Sequence, residues 1–202
     1  MLNHKGTLEI KTDRLVLRRF TVNDAENMFN NWANDSEVTK YLSWKPHGKI
    51  DTTKNILNSW VQDYESTNVY NWAIVYKNDG MVIGSISVVE YSEEHQRCEI
   101  GYCIGKKYWS MGITTEALKA VIRYALFDVG FNRVQATHNK ENPASGKVML
   151  KTGMIYEGRL RDYRIDHKGQ FVDCDMYAIL KNDIEQILLL KQLRGLKGLA
   201  ER

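Results

Sequence analysis

Little punctuates this sequence: two prolines, Pro46 and Pro143, in 202 residues, with no internal repeat and no low-complexity segment. Such a chain suits one domain, or one domain with a tail. Cysteine is scarce too. Cys98, Cys103 and Cys174 are odd in number and show no Cys-x-x-Cys spacing, which excludes a disulfide framework or a zinc site and fits a reducing, cytoplasmic setting with no bound metal. No apolar run approaches the roughly 18 residues that cross a bilayer, and the polar opening MLNHKGTLEI is no signal peptide, so no membrane partner is expected. Charge of one sign is also missing. With 28 basic and 25 acidic residues the net charge is +3, too small an excess for a nucleic-acid-binding face, although a local basic patch for phosphates stays open.

What is present reads as a mixed α/β chain. The alternation of Leu15 and Leu17 makes Arg14 to Arg18 a first strand. Thr21 to Trp32 is expected to be a helix capped by Thr21, with Ala25, Met28, Phe29 and Trp32 as its apolar stripe. A second helix is expected from Asp51 to Tyr64, after an irregular aromatic stretch from Tyr41 to Lys49. The period then becomes extended: a strand at Trp72 to Tyr76, a turn at Asn78-Asp79-Gly80, a returning strand from Met81 to Val89, and another at Glu99 to Ile104. Ile113 to Phe127 is the clearest helix, stopped by Gly130. A strand at Arg133 to Thr137, a helix at Pro143 to Lys151, and strands at Ile155 to Ile165 and Gln170 to Leu180 complete the order. One mixed, mostly antiparallel central sheet of about seven strands, flanked by helices, is the expected architecture. Residues 1–180 form the domain. Residues 181–202, with Ile184, Ile187, Leu188 and Lys191, form an amphipathic helical tail that leaves monomer or homodimer open.

The segment Glu99-Ile-Gly-Tyr-Cys-Ile-Gly-Lys-Lys-Tyr-Trp-Ser-Met-Gly-Ile-Thr-Thr-Glu-Ala117 carries the chemistry. A strand ends, a loop containing Gly112 follows, and a strong helix begins. The first N–H groups of a helix lack internal partners and carry positive potential, so a diphosphate fits there. Gly112 lets backbone approach phosphate without a Cβ, and Thr114 and Thr115 supply hydroxyls or caps. The same pattern also describes an ordinary strand-to-helix turn. It is neither a Walker loop nor a three-glycine dinucleotide fingerprint.

The segment resembles the acetyl-CoA loop of the GNAT N-acetyltransferase superfamily, in the branch similar to the ribosomal-protein N-acetyltransferases RimJ and RimL. Thr12-Asp-Arg-Leu-Val-Leu-Arg18 resembles that branch's opening strand and Ile83-Gly-Ser-Ile86 its third strand. Asn142-Pro-Ala-Ser-Gly-Lys-Val-Met-Leu-Lys-Thr-Gly-Met-Ile-Tyr-Glu-Gly158 resembles its second cofactor segment. The similarity runs from about Glu9 to Leu180. It departs at Trp109 and Thr114, where the superfamily loop usually has Gln or Arg and Gly or Ala, and at Ser110, where this branch often has Gly.

The resemblance implies acetyl-CoA as co-substrate. The backbone of Tyr102, Cys103 and Ile104 would pair with the pantetheine arm. The backbone of Trp109, Ser110, Met111, Gly112, Ile113, Thr114 and Thr115 would cradle the diphosphate. Asn142 would bond the pantetheine, or cap the helix that Pro143 opens. Lys147 would reach a phosphate. The reaction needs a neutral amine, a polarised carbonyl and a stabilised thiolate. Glu99 and Asp162 are the carboxylate candidates for the amine's proton. Each is also readable as a solvated or salt-bridged strand acid. Ser145 is the polar group near the sulfur, because the branch's tyrosine position falls at Met149. Cys103 reads better as a small buried hydrophobe than as an acyl carrier. Trp32 and Trp60 read as core, and Trp44 as a cleft residue. The expected function is transfer of acetyl to a primary amine, a protein N-terminus among the acceptors. The alternatives are a small-molecule amine (antibiotic, polyamine or amino acid) and a non-catalytic acetyl-CoA sensor.

Overall fold

The computed structural model describes residues 1–186. Eight strands form one sheet in the order β1-β2-β3-β4-β5-β6-β8-β7. They are β1 (Ile10–Lys11), β2 (Leu15–Arg18), β3 (Asn71–Tyr76), β4 (Val82–Ser92), β5 (Arg97–Ile104), β6 (Arg133–Asn139), β7 (Ile155–Ile165) and β8 (Phe171–Leu180). The strand beyond the expected seven is the two-residue β1, too short to leave a period in the sequence. Every pairing is antiparallel except β5 with β6.

Helices α1 (Ala25–Met28), α2 (Ser36–Thr39) and α3 (Ile50–Asp63) precede β3, while α4 (Ile113–Arg123) and α5 (Pro143–Lys151) follow β5 and β6. The alternation of β3 divides the core between the two sheet faces. Trp72 and Ile74 pack with Ile113, Ala117, Leu118 and Val121 of α4 on one face, whereas Ala73 packs with Met28, Trp32 and Leu57 on the other. Each fully buried Leu, Ile or Val there contributes about 1.5–3 kcal/mol by leaving water.

Two expected helices change pitch. Phe29–Ala33 and Tyr124–Val129 are π-turns, closed by Asn34 N–H to Phe29 O at 3.2 Å and Gly130 N–H to Ala125 O at 3.1 Å. The helix expected over Thr21 to Trp32 therefore becomes a 3₁₀ turn, one α turn and a π-turn. An apolar stripe reports which face is buried but not which ring size closes each turn. Asp24 holds that entry. It accepts from the Thr21 N–H at 2.8 Å and from both terminal nitrogens of Arg18 at 2.8 Å.

Residues 181–186 continue as helix after β8, and Ile184 packs against the α4-side core. The tail positions Ile187, Leu188 and Lys191 lie outside the described residues. Among the described residues, no helix is long and apolar enough to cross a membrane.

Candidate active site

β5 and β6 run parallel but share only three register pairs, Arg97–Arg133, Cys98–Val134 and Glu99–Gln135. Beyond them the strands part, although β5 continues to Ile104 and β6 to Asn139. A parallel pair that stops halfway leaves unpaired N–H and C=O groups on facing edges, ready to accept an extended ligand as a strand. On its other edge β5 stays paired with β4, where Val89 bulges between Val88↔Ile100 and Glu90↔Glu99. Tyr102, Cys103 and Ile104 lie on the parted section.

At the end of β5 the chain folds into the loop that opens α4. Ser110 has φ 62° and Gly112 φ 75°, so two left-handed residues turn the backbone between β5 and α4. Among the described residues, the N–H groups of Ser110, Met111, Gly112, Ile113, Thr114 and Thr115 have no acceptor. The first bond of the helix is Glu116 N–H to Gly112 O at 3.1 Å. Side chains brace this loop from behind. The Trp109 indole donates to Ile104 O at 2.9 Å, and Ile113 is fully buried. Glu116 receives the Thr12 hydroxyl at 2.6 Å, the Arg14 N–H at 2.9 Å and Arg14 Nε at 2.7 Å, while Arg14 Nη1 donates to Met111 O at 2.9 Å. Burial pushes the Glu116 carboxyl up, but these donors outweigh it and hold the group below its usual 4.5. The opening motif at Thr12 to Arg18 thus fixes a loop nearly a hundred residues away in sequence, a role its residues do not announce.

Across the parted strands lies a cavity of about 120 Å³, lined by Gly101, Tyr102, Thr137, His138, Asn142 and Ser145 among others. Asn142 caps α5 by accepting from the Ser145 N–H, at 3.4 Å. The Ser145 and Tyr102 hydroxyls are 2.8 Å apart. Burial pushes the Tyr102 phenol well above its usual value, so it stays protonated across the working pH range. Sequence reasoning used only the backbone of Tyr102 and missed this phenol. Met149 is buried in the core, away from the cavity. Helix α5 sits tightly on the sheet: a Cβ on Gly146 would stand 2.6 Å from His138 Nε2 and 3.0 Å from the Tyr177 hydroxyl. Lys147 is exposed on α5.

The two carboxylate candidates part company. Glu99 is 3% exposed and lines neither cavity described here. It accepts from Thr137 Oγ1 at 2.8 Å and Gln135 Nε2 at 3.3 Å and forms an ion pair with Arg164. Asp162 is exposed, at φ 49°, in an irregularity where β7 holds two more residues than β8 between Leu160↔Cys174 and Arg164↔Val172. Its N–H donates to Asp173 Oδ1 at 3.1 Å. Asp tolerates the left-handed region, so Asp162 shapes the bulge, and the bulge delivers Arg164 to Glu99. The structure therefore brings Tyr102, Asn142 and Ser145 to one cavity, sets Glu99 behind two of its lining residues, Thr137 and Arg164, and leaves Asp162 outside it. Arg164 and Thr137, which line the cavity and bond to Glu99, are residues that sequence reasoning missed. Their pairing depends on a register that no spacing reveals.

A wider cavity of about 980 Å³ opens on the α1–α3 side of β4 and β5. Trp44, Trp60, Asp63, Glu90, Tyr91 and Arg164 are among its walls. Trp44 lies on the irregular stretch after α2, as expected for a cleft residue, whereas Trp32 and Trp60 serve core and cavity together. The Cys103 thiol lies 3.2 Å from Ser85 Oγ, and burial pushes it up, so it stays a thiol.

An acetyltransferase (GNAT) domain model matches residues 14–155. An uncharacterized N-acetyltransferase, p20 of Bacillus licheniformis, is 31% identical over 172 residues, covering 85% of this chain and 96% of that protein. The [ribosomal protein uS5]-alanine N-acetyltransferase of Escherichia coli is 34% identical over 86 residues, 43% of this chain and 44% of that enzyme. The crystal structure of a GNAT-family acetyltransferase from Bacillus anthracis superposes with a TM-score of 0.75 at 29% identity, covering 87% of this chain and 99% of that one. With a half-parted parallel strand pair, a cradle of unpaired N–H groups at the start of α4 and these relatives in agreement, the chain belongs to the GNAT family and is an acetyl-CoA-dependent N-acetyltransferase.

Proposed function

We propose that the protein moves the acetyl group of acetyl-CoA to a primary amine that enters through the wider cavity and reacts where β5 and β6 part. The carrying observation is the run of six N–H groups from Ser110 to Thr115 without acceptors among the described residues, at the end of an open strand edge. Acetyl-CoA, when bound, supplies an activated thioester acyl group. The N–H groups of the Gly112 loop and the α4 dipole hold its diphosphate. The open edge at Tyr102 to Ile104 aligns its pantetheine arm, with Asn142 and Lys147 beside it. The Tyr102 phenol, kept protonated by burial and hydrogen-bonded to Ser145, would stabilise the departing thiolate as a hydrogen-bond donor, and the thiolate takes its proton from solvent. Glu99, with its oxygens already engaged, acts by holding Arg164, and the amine loses its proton to water in the open cleft.

A protein N-terminus is one acceptor class, supported by the similarity to the enzyme that modifies uS5. A small-molecule amine is the other, supported by the indole and phenol walls around a cavity large enough to enclose one. Free CoA release, measured with purified protein, acetyl-CoA, and panels of peptides and small amines, tests the reading. Release with at least one panel is expected. Tight acetyl-CoA binding with no release from any amine would instead mark a sensor.

A further inference from the structure

The Arg164 guanidinium stands where the two cavities meet and lines both. Its Nη2 is taken up by Glu99, whose carboxylate is in turn fixed by Thr137 and Gln135. Among the described residues, Nε and Nη1 of Arg164 have no hydrogen-bond partner. The arginine side chain is 43% exposed, whereas the Glu99 side chain beneath it is 3% exposed. A buried, fully bonded carboxylate that pins one nitrogen of a guanidinium orients the remaining donors without occupying them. The second Nη2 hydrogen, with the N–H beside it on the edge that Glu99 leaves open, forms a planar fork matched to a carboxylate. The bulge at Asp162 supplies the turn of β7 that points this fork inward.

We propose that Arg164 reads a carboxylate on the acceptor, and that the acceptor is a small α-amino acid whose side chain lies against Trp44, Trp60 and Tyr91. This rests on the acetyltransferase reading above and deepens it. Acetyl transfer must occur where the parted strands open into the wider cavity, and Arg164 stands at that junction. Amine and carboxylate must therefore sit close together on the acceptor, as they do on one α-carbon. The rest of the molecule then points outward into the aromatic walls, where apolar and aromatic side chains gain most by leaving water. A protein N-terminus carries an amide carbonyl in place of that carboxylate and offers Arg164 only a neutral acceptor.

Matched amines that differ only in the carboxylate test this: tryptophan against tryptamine, phenylalanine against phenethylamine, leucine against isoamylamine. CoA release gives kcat and KM for each, and calorimetry on the CoA-loaded protein gives affinity independently of turnover. The carboxylate members should be preferred by about 10- to 100-fold, chiefly in KM and in affinity, the size of a charge-assisted contact. Arg164→Met should erase that preference and Arg164→Lys should restore part of it. Unchanged acetyl-CoA affinity shows that each variant is folded. Because Arg164→Lys keeps a cation beside Glu99, the comparison survives if Arg164→Met does not fold. Three outcomes overturn the inference while leaving the transferase standing: decarboxylated amines used equally well, peptides used while free amino acids neither react nor bind, or a carboxylate preference that survives Arg164→Met. If acetyl-CoA itself fails to bind, the reading beneath the inference fails instead.

Discussion

The two halves of the proposed active site are built from different materials. The cofactor half is backbone: the open edge of β5 and the N–H cradle of the Gly112 loop, shaped by two left-handed residues and braced from behind by Arg14 and Glu116. The proposed acceptor half is side chain: Arg164 delivered by a bulge, Glu99 buried beneath it, and tryptophans from α3 and the stretch before it. Backbone cradles tolerate substitution of most side chains around them, so the first half can keep one ligand while the second changes its acceptor.

The sharpest way to break this division lies in the acceptor half. Glu99→Gln should lower kcat/KM by about 100-fold through loss of the Arg164 anchor. The loss should be equal from pH 6 to pH 9, and combining it with Arg164→Met should cost no more than the worse single change. Recovery of Glu99→Gln at high pH would make Glu99 a base after all.

A smaller effect separates packing from chemistry. Gly146→Ala forces α5 away from His138 and should cost about 1–3 kcal/mol, read as a melting temperature several degrees lower. An unchanged melting temperature would show that α5 sits more loosely than described.

The brace behind the loop should be sensitive to acid. Because the folded Glu116 carboxyl titrates below 4.5, its stabilisation is fully present above that value and is lost as pH falls through the lowered folded value. Glu116→Gln should remove up to about 1 kcal/mol of stability at pH 7, an amount tempered by the half-exposed Arg14. Denaturant midpoints at pH 7 and pH 4 should differ less in the variant than in the wild type. Smallest of all, Asp162→Asn should leave acetyl transfer within about twofold, since Asn also adopts the left-handed conformation of the bulge.

How much of this was legible in the sequence follows the same division. Pro143 to Lys151 and Ile155 to Ile165 came out with the expected bounds, because Asn142-Pro143 and Gly153 punctuate them. The turn at Gly112 was readable because it is a local order of strand, glycine and helix. Arg164 was not, because it meets Glu99 across 65 residues through a bulge whose two extra residues resemble any other strand residues. The π-turns were hidden for a related reason: Phe29 to Ala33 keeps its apolar stripe whether its bonds span four residues or five. The brace from Thr12 and Arg14 to Glu116 was likewise beyond reach, as the motif was visible and its partner was not.

The most direct test of the account is a calorimetric titration of acetyl-CoA into the wild type, Gly112→Asp and Arg164→Met. An aspartate at Gly112 puts a negative charge and a side chain beside the cradle, so affinity should fall by about 100-fold with the fold intact. Arg164→Met should bind within about threefold of the wild type, because its guanidinium serves the acceptor. Full affinity in Gly112→Asp, or an equal collapse in Arg164→Met, would contradict the separation of a backbone cofactor half from a side-chain acceptor half.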